Sequence, residues 1–318
     1  MYKILITGFP DEQQYKEEER AKLSDIAEVI IVQHPDREEL LRLVEDVDVI
    51  MTDFGVIDRE VFSRAKKLKH ITVYGVGYDS VDVDCATEHG VVVSNSPEVY
   101  TREVAEMAVT LTLAAAKYLC EAVADVKGNA VWHSAPFPCQ KLYDKTLGVI
   151  GCGRIGTAFL QRMRGFEMRA LVNDPYIPIE KITATGGIPT DFTTLIRESD
   201  IISVHTPLNA ETRGLLGERE FDAMKDGVIV INVSRGGIID DKALARAMRS
   251  GKVLAAGVDV LEGEPNIAAS PLLPLPRMNI TPHVAWKSEV AAYGVEMQCV
   301  KNVRSFLVDN APLYVVNP

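Results

Sequence analysis

The stretch Gly151-Cys-Gly153-Arg154-Ile155-Gly156 constrains the fold more than any other feature of the chain. It directly follows the apolar run Leu147–Ile150 and precedes helical sequence, Thr157–Arg164. Glycines at this spacing permit a tight turn, close approach of backbone to a pyrophosphate, and close packing of helix on strand. The helix N-terminus then attracts phosphate, and Arg154 adds a charged contact. Asp174 ends the next apolar run, 18 residues beyond Gly156. A carboxylate there suits the two ribose hydroxyls of NAD and repels the extra phosphate of NADP. In isolation the glycines are an ordinary turn and Asp174 a turn residue ahead of Pro175. In this order they read as an NAD site.

A chain of 318 residues with 47% apolar content is long for one core, so two domains are expected. The net charge of -11 argues against nucleic acid or an anionic membrane as partner, since both need a positive footprint. A small anionic substrate needs only local cations. Cys85, Cys120, Cys139, Cys152 and Cys299 are scattered without a CxxC pair and read as reduced, mostly buried thiols of a cytoplasmic protein. No metal site is expected. The N-terminal apolar run is too short for a signal peptide and passes straight into charged residues. The most apolar segment, Met107–Ala116, lies between Glu106 and Lys117 and reads as a buried helix.

Short apolar runs alternate with helical sequence along the chain. Lys3–Thr7, Glu28–Val32, Val47–Thr52, Ile71–Tyr74 and Val91–Asn95 form a first series. Leu147–Ile150, Met168–Asn173, Ile201–His205, Val228–Val233, Ala255–Val258 and Asn279–Thr281 form a second. Such βα alternation predicts parallel sheets covered by helices. A long helix is expected from Thr101, as its N-cap, to about Cys120, with irregular chain over Lys127–Lys145 and a last helix over Lys287–Val308.

Three polar residues stand where strands of the second series should end: Arg235 in VNVSRGG, Glu264 in DVLEGEP and His283 in ITPHVAW. Ligands of open parallel sheets bind at the carboxyl ends of strands. Reduction of a 2-keto acid needs a cation for the carboxylate and a proton for the developing alkoxide. Arg235 offers a planar, always-charged fork, and His283 a proton near neutral pH. A carboxylate such as Glu264 orients an imidazole and favours its charged form. Taken singly, each has a plainer reading as an ion pair, a loop acid or a structural histidine; their shared placement favours chemistry. His205 is the competing histidine, and Thr206-Pro207 after it forms a rigid turn expected to lie against the cofactor.

YGVGYDSVD (74–82), GVIGCGRIG (148–156) with Asp174, SVHTPLNAET (203–212), INVSRGGIID (231–240), GVDVLEGEP (257–265) and TPHVAW (281–286) occur in one order over nearly the whole chain. In these motifs the chain resembles the D-isomer-specific 2-hydroxyacid dehydrogenases. The resemblance implies two Rossmann-like or flavodoxin-like doubly wound domains with a cleft between them. The substrate domain would comprise 1–98 plus 287–318, and the NAD domain 99–286. Arg235, Glu264 and His283 would be catalytic. Gly151, Gly153, Arg154, Ile155, Gly156, Asp174, His205, Thr206, Pro207, Thr212, Val233, Ser234, Arg235, Asp259, His283 and Trp286 would meet NAD. Tyr74, Gly75, Val76 and Gly77, with Arg235 and His283, would meet substrate, the Val76 and Gly77 N–H groups taking its carboxylate. A homodimer through the NAD domain would use helix 101–120 and the arm around Trp132.

Phosphoglycerate dehydrogenases of this family commonly carry an arginine in the segment that here reads Met51-Thr52-Asp53-Phe54-Gly55. An acidic residue there disfavours a phosphate. Trp286 resembles glycerate or hydroxypyruvate reductases. The expected substrate is therefore small and unphosphorylated, such as hydroxypyruvate or glyoxylate. The alternatives are D-3-phosphoglycerate oxidation and a non-catalytic, NAD(H)-responsive corepressor-like role.

Overall fold

A computed structural model describes the chain apart from residues 9–12, 54, 131, 133–138 and 318 and the side chains of residues 13–15 and 129. Phe54, and most of the arm around Trp132, lie outside the described residues. The chain divides into two compact units, Met1–Tyr100 with Lys287–Pro318, and Thr101–Trp286.

The first unit holds β1 (Tyr2–Thr7), β2 (Ala27–Val32), β3 (Val49–Thr52), β4 (His70–Val73) and β5 (Val92–Ser94). These pair in parallel in the order β2-β1-β3-β4-β5, the flavodoxin-like winding. Helices α1 (Gln13–Leu23), α2 (Arg37–Leu43), α3 (Arg59–Arg64) and α4 (Val83–Glu88) connect them. Aspartates start three of these helices: Asp36, Asp58 and Asp82 each accept a first-turn N–H. Because side chains alternate across a strand, each strand feeds two cores. Leu5, Ile50 and Ile71 pack with Leu40, Val61 and Phe62 on one face. Ile4, Ile6, Val49 and Met51 pack on the other with Leu23, Val295, Cys299 and Val303. The last four belong to α1 and to the late helix of this unit, which explains why the chain must return here.

The second unit opens with α5 (Thr101–Lys117) and α6 (Leu119–Asn129). The expected single helix to Cys120 is thus broken: Tyr118 takes a left-handed conformation (φ 52°), and a new helix extends to Asn129 through sequence read as irregular from Lys127. α5 starts at Thr101, the residue where the sequence places the helix start. Then come β6 (Thr146–Ile150), α7 (Arg154–Met163), β7 (Arg169–Asn173), α8 (Ile179–Ala184), β8 (Ile188–Pro189), α9 (Phe192–Glu198) and β9 (Ile201–Val204). They are followed by α10 (Glu218–Ala223), β10 (Val228–Asn232), α11 (Asp241–Ser250), β11 (Val253–Val258) and β12 (Met278–Ile280). The described strands run parallel in the order β12-β11-β10-β9-β6-β7-β8, a Rossmann winding extended by one strand at one edge. β8 has two residues, too few for an apolar run to betray it. Helix α7 begins at Arg154, three residues before the Thr157 start read from sequence, so the glycine motif supplies its first turn.

The last helix is α12 (Ala291–Leu307), shorter than the expected Lys287–Val308. Its Asn302, fully buried, donates to the Thr72 hydroxyl and the Asn95 carbonyl and so ties the helix to β4 and β5. Among the described residues no single helix is long and apolar enough to cross a membrane. Met107–Ala116 lies within α5, where Ala108, Leu111, Thr112 and Ala114 to Ala116 are buried. Cys85, Cys152 and Cys299 are buried, whereas Cys120 and Cys139 are exposed.

Candidate active site

In the second unit the winding reverses between β6 and β9, and the glycine loop sits at the carboxyl end of β6. Gly151 has φ +94°, and a Cβ there would stand 2.5 Å from the His205 carbonyl oxygen. At Gly156 a Cβ would stand 2.2 Å from the Gly151 carbonyl oxygen. Both positions are therefore closed to any side chain. Gly153 differs: nothing lies within 4 Å of its Cβ position. It is exposed, precedes the first turn of α7, and receives no side-chain cap. A helix N-terminus of this kind leaves donors for a ligand, and the cradle over Gly153 fits the pyrophosphate of a dinucleotide.

Asp174, just beyond β7, is fixed beside this loop. Its Oδ2 accepts the Cys152 N–H at 2.7 Å, and its Oδ1 accepts from Tyr176 at 2.9 Å and Ile177 at 3.2 Å. The carboxylate is both the turn residue and the acid placed next to the glycine loop. At least one lone pair on Oδ2 remains for a ribose hydroxyl.

β10, β11 and β12 are neighbours whose ends stand level: Asn232 pairs with Val258, and Val258 with Ile280. Arg235, Glu264 and His283 follow those three ends. His283 Nδ1 lies 2.7 Å from Glu264 Oε1, and Glu264 Oε2 accepts the Leu261 N–H at 3.2 Å. His283 has φ +54°, a left-handed conformation that costs a non-glycine residue about 1–2 kcal/mol. Asp259 holds it there. The Asp259 carbonyl accepts the His283 N–H at 2.9 Å. Its carboxylate accepts from Thr281 Oγ1 (2.5 Å), Val284 N (3.0 Å) and Ala285 N (2.7 Å). Burial raises the Asp259 carboxyl above its usual range, against the pull of these hydrogen bonds. The described contacts of its carboxylate are thus to the histidine turn. Trp286 completes the brace by donating Nε1–H to the His283 carbonyl at 3.0 Å.

Arg235 donates to the Ser234 carbonyl at 2.9 Å, and its own carbonyl accepts from Asn232 Nδ2 at 2.9 Å. Ser234 Oγ donates to the Val204 carbonyl at 2.8 Å, tying this loop to the end of β9, and Val233 is buried. Gly236 permits close approach: a Cβ there would stand 2.2 Å from the Leu261 carbonyl oxygen. The Arg235 loop is thereby packed on the segment leading to Glu264.

The rival histidine has a different character. His205 Nε2 lies 2.9 Å from Ser203 Oγ and its ring leans on Phe159, 4.8 Å between centroids. Burial pushes its imidazole down to about 3, so it stays neutral. Thr206 Oγ1 is buried, and Thr212 closes the following turn by donating to the Pro207 carbonyl at 2.6 Å. Ile155 lies in the first turn of α7.

In the first unit, Tyr74 to Gly77 follow β4. Tyr74 is buried and donates its hydroxyl to Glu19 Oε1 at 2.8 Å, with Lys16 Nζ 4.3 Å above its ring. Its side chain serves the core. Gly75 donates its N–H to the Val73 carbonyl and accepts from Ser96 N, both at 2.8 Å. The Val76 carbonyl accepts from Asn95 Nδ2 at 2.7 Å. Tyr100, which the motifs do not mark, accepts the Val76 N–H at 2.7 Å. Lys16 is itself buried between Glu19 (3.1 Å), one turn along its helix, and Glu296 (3.3 Å), a partner 280 residues away that no local pattern reveals.

Residues 109–285 match the family model described as the D-isomer specific 2-hydroxyacid dehydrogenase, NAD binding domain. The chain is 42% identical over 268 residues to a D-3-phosphoglycerate dehydrogenase of Archaeoglobus fulgidus, with 84% of this chain covered. It spans about half of that relative's length, 51%. It is 38% identical over 290 residues to a glyoxylate reductase of Thermococcus litoralis, covering 89% of this chain and 87% of the relative. The crystal structure of a D-lactate dehydrogenase from Aquifex aeolicus, complexed with NAD and lactic acid, superposes with a TM-score of 0.89 at 27% identity, covering 99% of both chains.

Proposed function

The chain belongs to the D-isomer specific 2-hydroxyacid dehydrogenases, and from that premise we propose an NAD-dependent enzyme acting on a small, unphosphorylated D-2-hydroxy or 2-keto acid of the hydroxypyruvate or glyoxylate type. The observation that carries this reading is the His283–Glu264 pair, 2.7 Å apart, at the carboxyl edge of the sheet whose switch point bears the glycine loop. The α7 N-terminus and Asp174 would hold the pyrophosphate and a ribose of NAD, which when bound would supply hydride-transfer chemistry for C2 of the substrate. His283 gives a proton to the developing alkoxide during reduction and removes one during oxidation. Glu264 orients the imidazole and stabilises its charged form. Arg235 binds the substrate's carboxylate with its fork, as do the Val76 and Gly77 N–H groups. His205, held neutral, supports the loop and moves no proton.

Asp53 at the end of β3 favours an unphosphorylated substrate, because a carboxylate repels a phosphate. Phosphoglycerate oxidation is the second reading, favoured by the phosphoglycerate dehydrogenase relative. Leu119, Val123 and Val126 expose an apolar stripe on α6, which supports a homodimer through the second unit.

The test is NADH oxidation followed at 340 nm with glyoxylate, hydroxypyruvate, pyruvate and 3-phosphohydroxypyruvate. Fastest turnover with one of the unphosphorylated acids is expected. Preference for the phosphorylated acid installs the second reading, and NADH binding without any turnover installs the corepressor-like one.

A further inference from the structure

Within Tyr74–Gly77 most main-chain groups are bound to partners fixed in the fold. Tyr74 N–H goes to the Thr52 carbonyl, Gly75 N–H to the Val73 carbonyl, the Gly75 carbonyl to Ser96 N–H, and the Val76 carbonyl to Asn95. The Val76 N–H goes instead to the Tyr100 hydroxyl, at 2.7 Å, the end of a side chain that rotates about two torsions. Gly77 N–H has no protein acceptor among the described residues. The two donors assigned to the substrate carboxylate are therefore unequal: one is open and one is covered. Tyr100 and Val76 are both only partly buried: the Tyr100 ring packs against the core that holds Ile4 and Val303, while its hydroxyl end reaches the Val76 N–H. Gly75 makes room for the arrangement, since a Cβ there would stand 3.0 Å from the Tyr100 hydroxyl oxygen.

We infer that the Tyr100 hydroxyl is a placeholder for one carboxylate oxygen of the substrate and must leave the Val76 N–H when a 2-keto or 2-hydroxy acid binds. This rests on the proposed role of Val76 and Gly77 as the carboxylate anchor. A hydroxyl is an acceptor of the right size for this donor, and it keeps a backbone N–H satisfied while no substrate is present. A carboxylate is the stronger acceptor, because hydrogen bonds to an ionised group are shorter and stronger than neutral ones. Exchange therefore runs toward substrate, but every binding event first breaks the tyrosine bond. Tyr100 sets affinity for the acid without touching the hydride or the proton. Displacement also selects for the carboxylate, since a ligand with a weaker acceptor there does not dislodge the hydroxyl.

Tyr100→Phe removes the competing acceptor while keeping the ring. KM for the preferred keto acid should fall about 2- to 10-fold, the worth of one neutral hydrogen bond, with kcat and NADH affinity unchanged. Selective ¹⁵N labelling of valine and glycine gives an independent readout. In the wild type, oxalate added to the NADH complex should shift the Val76 and Gly77 amides together. In Tyr100→Phe the Val76 amide should start displaced and respond at lower oxalate. An unchanged or raised KM, with oxalate moving Gly77 but leaving Val76 on the tyrosine, overturns the placeholder and leaves the anchor standing. If oxalate binds with neither amide responding in either protein, the anchor itself is wrong and the placeholder falls with it.

Discussion

The two units solve a similar folding problem and put different chemistry on the result. Both are doubly wound parallel sheets, and both present their functional segments beyond the carboxyl ends of strands. Both also hold a neutral histidine between a serine hydroxyl and an aromatic ring, fully buried in the first unit and partly in the second. His70 contacts Ser94 at 3.1 Å and stacks on Phe306, as His205 contacts Ser203 and leans on Phe159. In the second unit the edge carries side chains with charge and protons to give: Arg235, Glu264, His283 and Asp174. In the first it carries main-chain N–H groups, backed by a buried ionic cluster of Lys16, Glu19 and Glu296 around Tyr74. The edge proposed for the chemistry can be altered one side chain at a time; the other is main chain, and is altered only through what supports it.

The contrast breaks most visibly at His283. His283→Ala should lower turnover about 10²- to 10⁴-fold, the usual contribution of a general acid–base, while the denaturation midpoint barely moves. Stopped-flow and chemical denaturation on one preparation check both halves, and a variant that unfolds instead would make His283 structural. Lys16→Ala is the counterpart in the first unit. Two buried carboxylates lose their cation, which should cost about 3–5 kcal/mol of stability. Burial already raises the Glu19 carboxyl above its usual range. A denaturation curve coincident with the wild type would remove the cluster from the account.

A smaller effect is expected at Asp174. Asp174→Ser should leave the fold intact and weaken the preference for NADH over NADPH by about tenfold, one hydrogen bond to a charged group together with the lost repulsion. Equal discrimination in variant and wild type would return Asp174 to its turn. Confined to acid, and so smallest near neutral pH, is the pH dependence of stability set by the paired histidines. Burial holds both His70 and His205 down to about 3, from an ordinary 6.5. The folded chain keeps them neutral while the unfolded chain protonates them below 6.5. Their contribution is complete above that pH and is lost as pH falls toward 3. His205→Gln should reduce the slope of stability against pH in that window by about 1.4 kcal/mol per unit, and leave the pH profile of turnover unaltered in shape. A changed profile would make His205 part of the chemistry.

Much of this was readable before any coordinates, because buried parallel strands are apolar runs and the Rossmann loop is written in glycines. The placement of the proposed catalytic side chains was equally open: Arg235, Glu264 and His283 stand beyond three neighbouring strand ends, and two of them touch. What stayed hidden lacks a local signal. β8 is two residues long, the α5–α6 break is one left-handed tyrosine, and the start of α7 lies inside the glycine motif. The brace that the Asp259 carboxylate gives the His283 turn through three donors has no local signal either. Tyr100 meets Val76 across 24 residues through a backbone N–H, a partner that no residue type advertises.

The central claim is that His283 exchanges the proton of a reversible keto-acid reduction. Its most direct test is the pH dependence of single-turnover rates in both directions, with the best acid of the panel and its hydroxy product, in wild type and His283→Ala. Reduction should slow as pH rises and oxidation should quicken over the same interval, because one needs the protonated imidazole and the other the neutral ring. Both trends should vanish in the variant. Rates that move the same way in both directions, or opposed trends that persist without His283, would contradict the account.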